Sequence, residues 1–401
     1  MPGALDGIRV LDFSRVFAAP AGTQILGDLG ADVVKVEEPR KGDEARYYGM
    51  TEQALRAPGA ASPPFLALNR NKRSIALDLG CPAGREVAFR LSAGSDVLVH
   101  NFRPGAMARW GLGYDAIRAA NRRVIYCEFF AYGKEGPLAQ VGANDLALQA
   151  HSGLMSITGE PGRPPVRCGT AAIDLHAGLA MVAAVLAALY HRERTGEGQA
   201  VETSLLLGSA HLMNYFYTEY WLDGTVRKPM GTANHLSVPN QVFPASDGGV
   251  VIIAPSDEMW RRCAAALAPA RLDRPEFRRS LDRLRLRAEL IEALGAVTRT
   301  MSCGELVKRL SAARVNVAKV NSIGEAADHG QLAEAGGLVE IGVDGRPLKA
   351  VSSPFKLGGT PARVDRPPPR LGAHTEEILL QRGFGGDEVS AFREQGAFGK
   401  A

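Results

Sequence analysis

The chain of 401 residues is 46% hydrophobic, and its 47 basic and 43 acidic side chains leave a net charge of only +4. This length predicts two domains with a large core, and the small, dispersed charge argues against a nucleic-acid-binding groove. The five cysteines are odd in number and include no Cys-x-x-Cys pair, which argues against a disulfide framework or a zinc site and favours a reducing cytoplasm.

The first third of the chain alternates apolar segments of strand length with helical segments. Strands are predicted at 8–13, 32–37, 74–78, 96–100 and 124–130, and helices at 20–29, 82–93 and, in two short pieces, 104–120. This alternation predicts a Rossmann-like α/β fold, with a parallel sheet covered by helices on both faces. The long irregular connections at 41–66 and 132–173 are expected to carry functional residues.

A single acidic residue, Asp174, stands where a Gly- and Pro-rich approach gives way to an apolar helix over 175–190. That helix has almost no polar side, so it is predicted to be buried. A carboxylate in its first turn would be partly desolvated beside backbone N–H groups and the positive end of the helix dipole, which suits a nucleophile. The ordinary alternative is that Asp174 only caps the helix.

In the second half of the chain, the composition changes from Ala- and Leu-rich to Gly-, Pro- and Asn-rich after a predicted strand at 200–204 and a helix at 205–222. Short strands and Arg/Leu-rich helices then indicate a separate, smaller α+β domain. The predicted organisation is a large α/β domain over 1–200 joined by the C-terminal segment 331–401, a linker over 201–240 and the small domain over 241–330.

Several kinds of site find no support in the sequence. The turn after the first strand is not Gly-x-Gly-x-x-Gly, there is no Walker-type loop, and no Cys/His cluster offers metal ligands. The N-terminus lacks the pattern of a secretory signal, and no uncharged apolar run has transmembrane length. We therefore expect a cytoplasmic protein with no bound metal and no membrane partner.

Basic side chains lie at the carboxyl ends of several predicted strands or in the loops after them. Because the carboxyl ends of parallel strands share one edge of the sheet, these cations would meet a phosphate-bearing ligand there, although any one of them alone could be a solvated surface charge. They are Arg15, Lys72, Arg73, Arg103 and Arg109.

A set of motifs in a fixed order resembles the class III CoA-transferase family. They lie at 7–14, 29–39 with 42–43, 69–74 (Asn-Arg-Asn-Lys-Arg-Ser), 101–105 (Asn-Phe-Arg-Pro-Gly), 152–159, 194–199, 353–356 and 371–375. The family includes formyl-CoA transferase, carnitine CoA-transferase and, as a relative, α-methylacyl-CoA racemase. The resemblance runs nearly end to end.

The resemblance implies a mechanism and a set of ligand contacts. Asp174 matches the aspartate that attacks an acyl-CoA thioester and then carries CoA as an aspartyl-CoA thioester. The positions that match the family's CoA contacts are Phe17, Ala18, Asn69, Lys72, Asn101, Phe102, Arg103 and Arg109. One position departs from the pattern, since Glu38 stands where formyl-CoA transferases carry Arg, and Arg40 is a candidate substitute.

The resemblance also implies substrates and assembly. The expected substrates are an acyl-CoA and a small carboxylic acid, with no permanently bound cofactor, and the expected assembly is an interlocked homodimer. The region after Leu222 contains no tetraglycine loop of the formyl-CoA transferase kind, so oxalate is not the preferred acceptor. A short-chain dicarboxylate, a hydroxy acid or an aromatic acid remain open, with succinyl-CoA as donor by analogy.

Two other functions stay as alternatives. A racemase or epimerase needs two bases on opposite faces of the α-carbon, but Asn144-Asp145 stands where that branch has His-Asp, and an amide cannot accept the proton. Other histidines, His151 or His176, would have to supply the base. A catalytically silent CoA-binding protein is the second alternative, and retention of Asp174 argues against it.

Overall fold

A computed structural model describes residues 2–55, 61–343 and 345–399. The chain divides into two compact units: the first comprises Met1–Leu154, Cys168–Thr225 and Glu334–Ala401, and the second comprises Met155–Arg167 and Val226–Ala333. The C-terminal segment thus returns to the first unit. Residues 201–225, predicted as part of a linker, instead belong to the first unit as a strand and two helices.

The first unit is built on a six-stranded parallel sheet. Its strands are β1 Arg9–Asp12, β2 Asp32–Glu37, β3 Lys72–Ala76, β4 Val97–His100, β5 Ile125–Phe130 and β6 Gln199–Ser204. The spatial order is β3-β2-β1-β4-β5-β6, and every neighbouring pair is parallel. This order is that of doubly wound nucleotide-binding sheets, and it confirms the predicted α/β class.

Helices surround the sheet and build most of the second unit. In chain order they are α1 Ala18–Asp28, α2 Glu52–Leu55, α3 Pro63–Leu68, α4 Pro82–Ala93, α5 Ala106–Arg109, α6 Tyr114–Ala120, α7 Asp145–His151, α8 Leu154–Ile157, α9 Ala172–Thr195, α10 Leu205–Leu212, α11 Asn214–Asp223, α12 Asp257–Leu267, α13 Pro269–Leu272, α14 Ser280–Arg285, α15 Arg287–Thr298, α16 Cys303–Ala312, α17 Ile323–Ala327, α18 Gly330–Glu334, α19 Thr375–Gln381 and α20 Gly386–Glu394. A 3₁₀ turn at Glu44–Tyr47 follows β2.

The two faces of the sheet bury separate apolar clusters because neighbouring strand residues point to opposite sides. On one face Val10 and Val97 pack with residues of α1 and α9, such as Leu26 and Met181. On the other face Leu11, Val34 and Leu98 pack with α4, α6 and the C-terminal helices. The strands therefore read as apolar runs, as expected for a sheet covered on both sides.

Helices α1 and α9 meet backbone to backbone through two glycines. A Cβ atom on Gly178 would lie 2.3 Å from the Ala18 carbonyl oxygen, and one on Gly22 would lie 2.8 Å from the Gly178 carbonyl oxygen. Only glycine permits this approach at either position. It brings the start of α1 against α9 one turn beyond Asp174.

Helix α9 departs from the prediction that it is buried on nearly every side. Leu175, Leu179 and Tyr190 are 41%, 45% and 67% exposed, and with Ala183 and Ala187 they form an apolar stripe along one face. The helix is long and apolar enough to cross a membrane, but half of its most apolar window is buried inside the chain, as in a core helix. The stripe is therefore a surface that the chain itself leaves uncovered.

The second unit contains a three-stranded antiparallel sheet with helices packed on it. Its strands β7 Asn240–Pro244, β8 Gly249–Ile253 and β9 Asn316–Lys319 follow in the order β7-β8-β9. Phe243, Trp260 and Leu294 belong to its apolar core. This confirms the smaller α+β domain expected from the sequence. A separate hairpin, β10 Leu338–Val343 and β11 Arg346–Val351, belongs to the first unit.

Candidate active site

A cavity of about 580 Å³ opens at the carboxyl edge of the parallel sheet. Its walls come from the turn after β1, the segment after β4 with α5, the end of β5, residues 139–144, and the starts of α9 and α10. This is the edge at which ligands bind in open parallel sheets. Seven of the predicted site residues line it: Phe17, Ala18, Asn101, Phe102, Arg103, Arg109 and Asp174.

Asp174 is the third residue of α9 and is only 8% exposed. Burial, and then the negative charge of Asp145, raise the pKa of its carboxyl group from 3.8 to about 7. It does not cap the helix, because the N-cap position is Ala171. The helix therefore holds the Asp174 carboxyl at the cavity wall, in a setting that makes it more basic than an ordinary aspartate.

The capping role belongs to Asp145, in the first turn of α7. Its Oδ2 accepts the backbone N–H groups of Ile173, at 2.8 Å, and of Asp174, at 3.2 Å. The buried Gln149 side chain donates to the other oxygen of Asp145 and accepts the N–H of Cys168 at 2.8 Å. These bonds fix both the start of α9 and the approach to it.

Sequence reasoning missed these roles of Asp145 and Gln149. The only signal was their spacing of one helical turn, which places both side chains on the same face of α7. The preceding residue, Asn144, lines the cavity, and its side chain accepts the N–H of Ala147 at 3.2 Å as the cap of α7. It does not offer the base that a racemase would need.

The turn after β1 is held by the side chain of Asn101. Its amide oxygen accepts the N–H of Arg15 at 2.9 Å, and its nitrogen donates to the Arg15 carbonyl oxygen at 2.7 Å. The Arg15 guanidinium carbon lies 4.9 Å from the centre of the Phe102 ring. With the exposed Arg103 and Arg109, the cavity wall carries three cations.

Two further lining residues, Glu44 and Tyr48, come from the irregular segment 41–66 that was expected to be functional. The Tyr48 ring stacks on Phe17 with centroids 6.3 Å apart and an interplanar angle of 17°. Neither residue is recognisable from the sequence alone, because a single aromatic or acidic side chain in a loop forms no motif.

The structure corrects the placement of Asn69 and Lys72, which do not line this cavity. Both are completely buried, and the Lys72 Nζ bonds Asp12 at 3.1 Å, the Pro20 carbonyl oxygen at 2.9 Å and Asn69 at 3.0 Å. Burial lowers the pKa of Lys72 to about 8. Its ammonium group is thus already surrounded by protein oxygens.

The substitute proposed for the departure at Glu38 also lies elsewhere. Arg40 pairs with Glu38 itself at 2.8 Å, and neither residue is part of the cavity wall. The cations that the structure does bring to the cavity are therefore Arg15, Arg103 and Arg109.

Residues 5–375 match the sequence model of CoA-transferase family III. The chain belongs to this family. This CoA-transferase is 33% identical to the succinate–glutarate CoA-transferase of Agrobacterium fabrum, over 94% of this chain and 95% of that protein. It is also 33% identical to the acetyl-CoA:oxalate CoA-transferase of Acetobacter aceti, over 90% of this chain and 92% of that one.

Solved structures of similar proteins share the fold. A CAIB/BAIF family protein from Brucella suis superimposes with a TM-score of 0.86 at 30% identity, covering 95% of this chain and all of that one. Rv3272 from M. tuberculosis gives a TM-score of 0.83 at 29% identity over 94% of this chain and 99% of that one. The comparisons confirm the predicted family and the prediction that the chain is an enzyme, one that moves CoA between acyl-CoA and acids.

Proposed function

We propose that this CoA-transferase moves CoA from an acyl-CoA to a short-chain dicarboxylic acid through an aspartyl-CoA thioester on Asp174. The observation that carries the proposal is the Asp174 carboxyl, 8% exposed, in the wall of a cavity that also presents three arginines. The dicarboxylate class rests on relatives named for succinate, glutarate and malate. Succinyl-CoA is the proposed donor.

In the proposed mechanism, the free energy of the thioester bond is retained in covalent intermediates. The Asp174 carboxylate attacks the thioester carbonyl and releases CoA thiolate, which leaves a mixed anhydride. The thiolate attacks the aspartyl carbonyl, frees the donor acid and forms the aspartyl-CoA thioester. The acceptor carboxylate then displaces the thiolate to give a second anhydride. Attack of the thiolate on the acceptor's acyl carbon yields the new acyl-CoA and restores Asp174.

The setting of Asp174 suits these steps. Low exposure keeps water from the anhydrides, which would otherwise hydrolyse. The raised pKa means that the carboxylate, once ionised, is a stronger base than an ordinary aspartate. Asp145 occupies the N–H groups of Ile173 and Asp174, so these donors orient the helix and are not the groups that bind the oxyanion.

The proposed acyl-CoA site uses the rest of the wall. Arg103 and Arg109 are exposed and are proposed to bind the phosphates of CoA, since guanidinium groups form bidentate hydrogen bonds with phosphate oxygens. Phe17, Phe102 and the backbone at Ala18 suit the adenine and the pantetheine arm. Asn69 and Lys72 contribute only indirectly in this proposal.

We also propose a homodimer of the interlocked kind. The support is the apolar stripe of α9, together with Trp221 and Leu222 near the end of α11, which are 75% and 82% exposed. A contiguous exposed apolar surface, unlike a single exposed apolar side chain, is typical of an interface. A light-scattering mass of one subunit would contradict the dimer. The proposed compartment is the cytoplasm, which agrees with five cysteines that form no disulfide, all within the described residues.

The test is a mass-spectrometric screen for CoA exchange from succinyl-CoA and acetyl-CoA to a panel of mono- and dicarboxylic acids. The wild-type protein is expected to form a new acyl-CoA and, without acceptor, a covalent CoA adduct on the peptide that contains Asp174. Asp174→Asn is expected to abolish both, while the exposed Asp387→Asn leaves both unchanged. Exchange of the α-proton without transfer would instead support a racemase.

A further inference from the structure

The turn between β1 and α1 contains a residue in an unusual conformation. Val16 has φ +74°, in the left-handed region that a β-branched residue rarely adopts. Arg15, Val16, Phe17 and Ala18 all line the cavity, so the direction of this wall depends on that conformation. Backbone strain of this kind persists only where the surroundings hold it, and it concentrates at ligand sites.

A buried ion pair holds the turn on both sides of Val16. The Asp43 carboxylate accepts the Val16 N–H with both oxygens, at 3.0 and 3.2 Å. The Lys35 ammonium lies 2.8 Å from Asp43 and donates to the carbonyl oxygen of Ser14 at 2.7 Å. Both charged side chains are 0% exposed.

A second buried pair anchors the neighbouring residues. Asp12 accepts the N–H of Ser14 at 2.9 Å and the hydroxyl of Thr23 at 2.6 Å. Lys72 bonds Asp12 and the carbonyl oxygen of Pro20 in the first turn of α1. The turn is therefore tied to β2, to β3 and to α1 by ionic side chains that lie behind it.

None of these four ionic side chains is part of the cavity wall. A buried ion pair adds little to stability over apolar residues of the same size, because removing both charges from water is costly. What an apolar pair could not supply is an acceptor for the Val16 N–H and a donor for the Ser14 carbonyl. The contacts thus favour control of backbone geometry over general stabilisation.

We propose that the Lys35–Asp43 pair is a positioning device that holds Val16 in its left-handed conformation and so presets Phe17 and Ala18 to receive the acyl-CoA. This inference rests on the proposed function, since it assigns the preset wall to the CoA ligand. Asp43 and Lys35 touch no substrate. They act through the backbone of Ser14 and Val16, and Asp43 also accepts the N–H of Ala45 at 2.9 Å as the N-cap of the 3₁₀ turn Glu44–Tyr47.

The test combines Asp43→Asn with Val16→Gly. Asp43→Asn is expected to raise KM for acyl-CoA and the Kd for CoA by roughly tenfold, with kcat changed by less than about threefold. Glycine adopts positive φ without strain, so the affinity of a Val16→Gly protein for CoA should depend little on Asp43, and Val16→Gly alone is the reference for the double variant. In the double variant, Val16→Gly should recover most of the affinity that Asp43→Asn loses, whether or not the melting temperature recovers.

The outcomes separate positioning from stabilisation. A folded Asp43→Asn variant with wild-type KM and Kd overturns the inference, as does a double variant that binds no better than Asp43→Asn. If Asp43→Asn does not fold, Lys35→Met/Asp43→Asn removes both charges and allows the same comparison with and without Val16→Gly. Calorimetry with CoA needs no acceptor acid. A wild-type protein that does not bind CoA overturns the proposed function as well, whereas unchanged binding in all variants overturns only this inference.

Discussion

Asp174→Asn is expected to remove activity and at the same time to stabilise the protein at alkaline pH. The pKa of Asp174 is raised from 3.8 to about 7, so between these values the folded state keeps a proton that the unfolded state releases. The contribution of this group to stability therefore falls as the pH rises through that window, and it is fully lost above pH 7. Asparagine does not ionise, so the Asp174→Asn variant does not lose this stability as the pH rises.

The size of the effect follows from the two pKa values. Their difference corresponds to about 4 kcal/mol of unfolding free energy, of which about 2.5 kcal/mol is lost between pH 5 and pH 8. Because the side chain is only 8% exposed, solvent screening does not reduce this value greatly. The stability advantage of Asp174→Asn over the wild type is expected to grow by that amount from pH 5 to pH 8.

Urea unfolding of both proteins, followed by circular dichroism at pH 5 and pH 8 and at one protein concentration, measures the difference. Asp387→Asn is the control, because Asp387 also lies in the first turn of a helix but is exposed, and its substitution should bring no gain at pH 8. If the difference in unfolding free energy between Asp174→Asn and the wild type is the same at both pH values, ionisation of Asp174 does not destabilise the folded protein, and the reasoning is refuted.

Three further outcomes are expected. The kcat/KM for CoA transfer should fall about tenfold for each pH unit below pH 7, as Asp174 becomes protonated, and Asp145→Asn should move this limb to lower pH because it removes the nearby negative charge. If kcat/KM of Asp145→Asn falls at the same pH as that of the wild type, the negative charge of Asp145 does not raise the pKa of Asp174. Arg109→Ala should raise KM for acyl-CoA about tenfold with little change in kcat, and Arg109→Lys should recover part of the loss. An unchanged KM in steady-state kinetics would contradict a role of Arg109 in binding acyl-CoA. Leu179→Glu, on the exposed stripe of α9, should shift the light-scattering mass towards one subunit, whereas a mass equal to the wild type would place the interface elsewhere.

Much of the first unit could be predicted because its signals are local. The strand predicted at 32–37 coincides with β2 Asp32–Glu37, and Gly30 ends the preceding helix with positive φ. Asp174 was predicted at the head of α9 because an abrupt change from Gly/Pro-rich to apolar sequence is readable without a partner. Family motifs then indicated Asp174 and six other residues that line the cavity.

Long-range pairing of buried charges could not be predicted. Lys72 was predicted at the ligand-binding edge of the sheet, but it is the first residue of β3, and the Asp12 that binds its ammonium group is 60 residues away in sequence. Asp145 and Gln149 were missed for the same reason, since their partners at the start of α9 follow an irregular segment. The composition of α9 predicted burial on nearly every side, whereas the chain itself covers only part of the helix.

The glycine contact between α1 and α9 limits how this site can diverge. With Gly22 and Gly178 in close backbone contact, neither position can take a side chain without moving the two helices apart, and that would change the spacing between the Asp174 carboxyl and the first turn of α1. Changes in substrate preference are therefore expected at other parts of the cavity wall, such as Tyr48 and residues 139–144, while Gly22 and Gly178 are kept. Directed evolution of this enzyme should therefore keep Gly22 and Gly178 and randomise Tyr48 and residues 139–144.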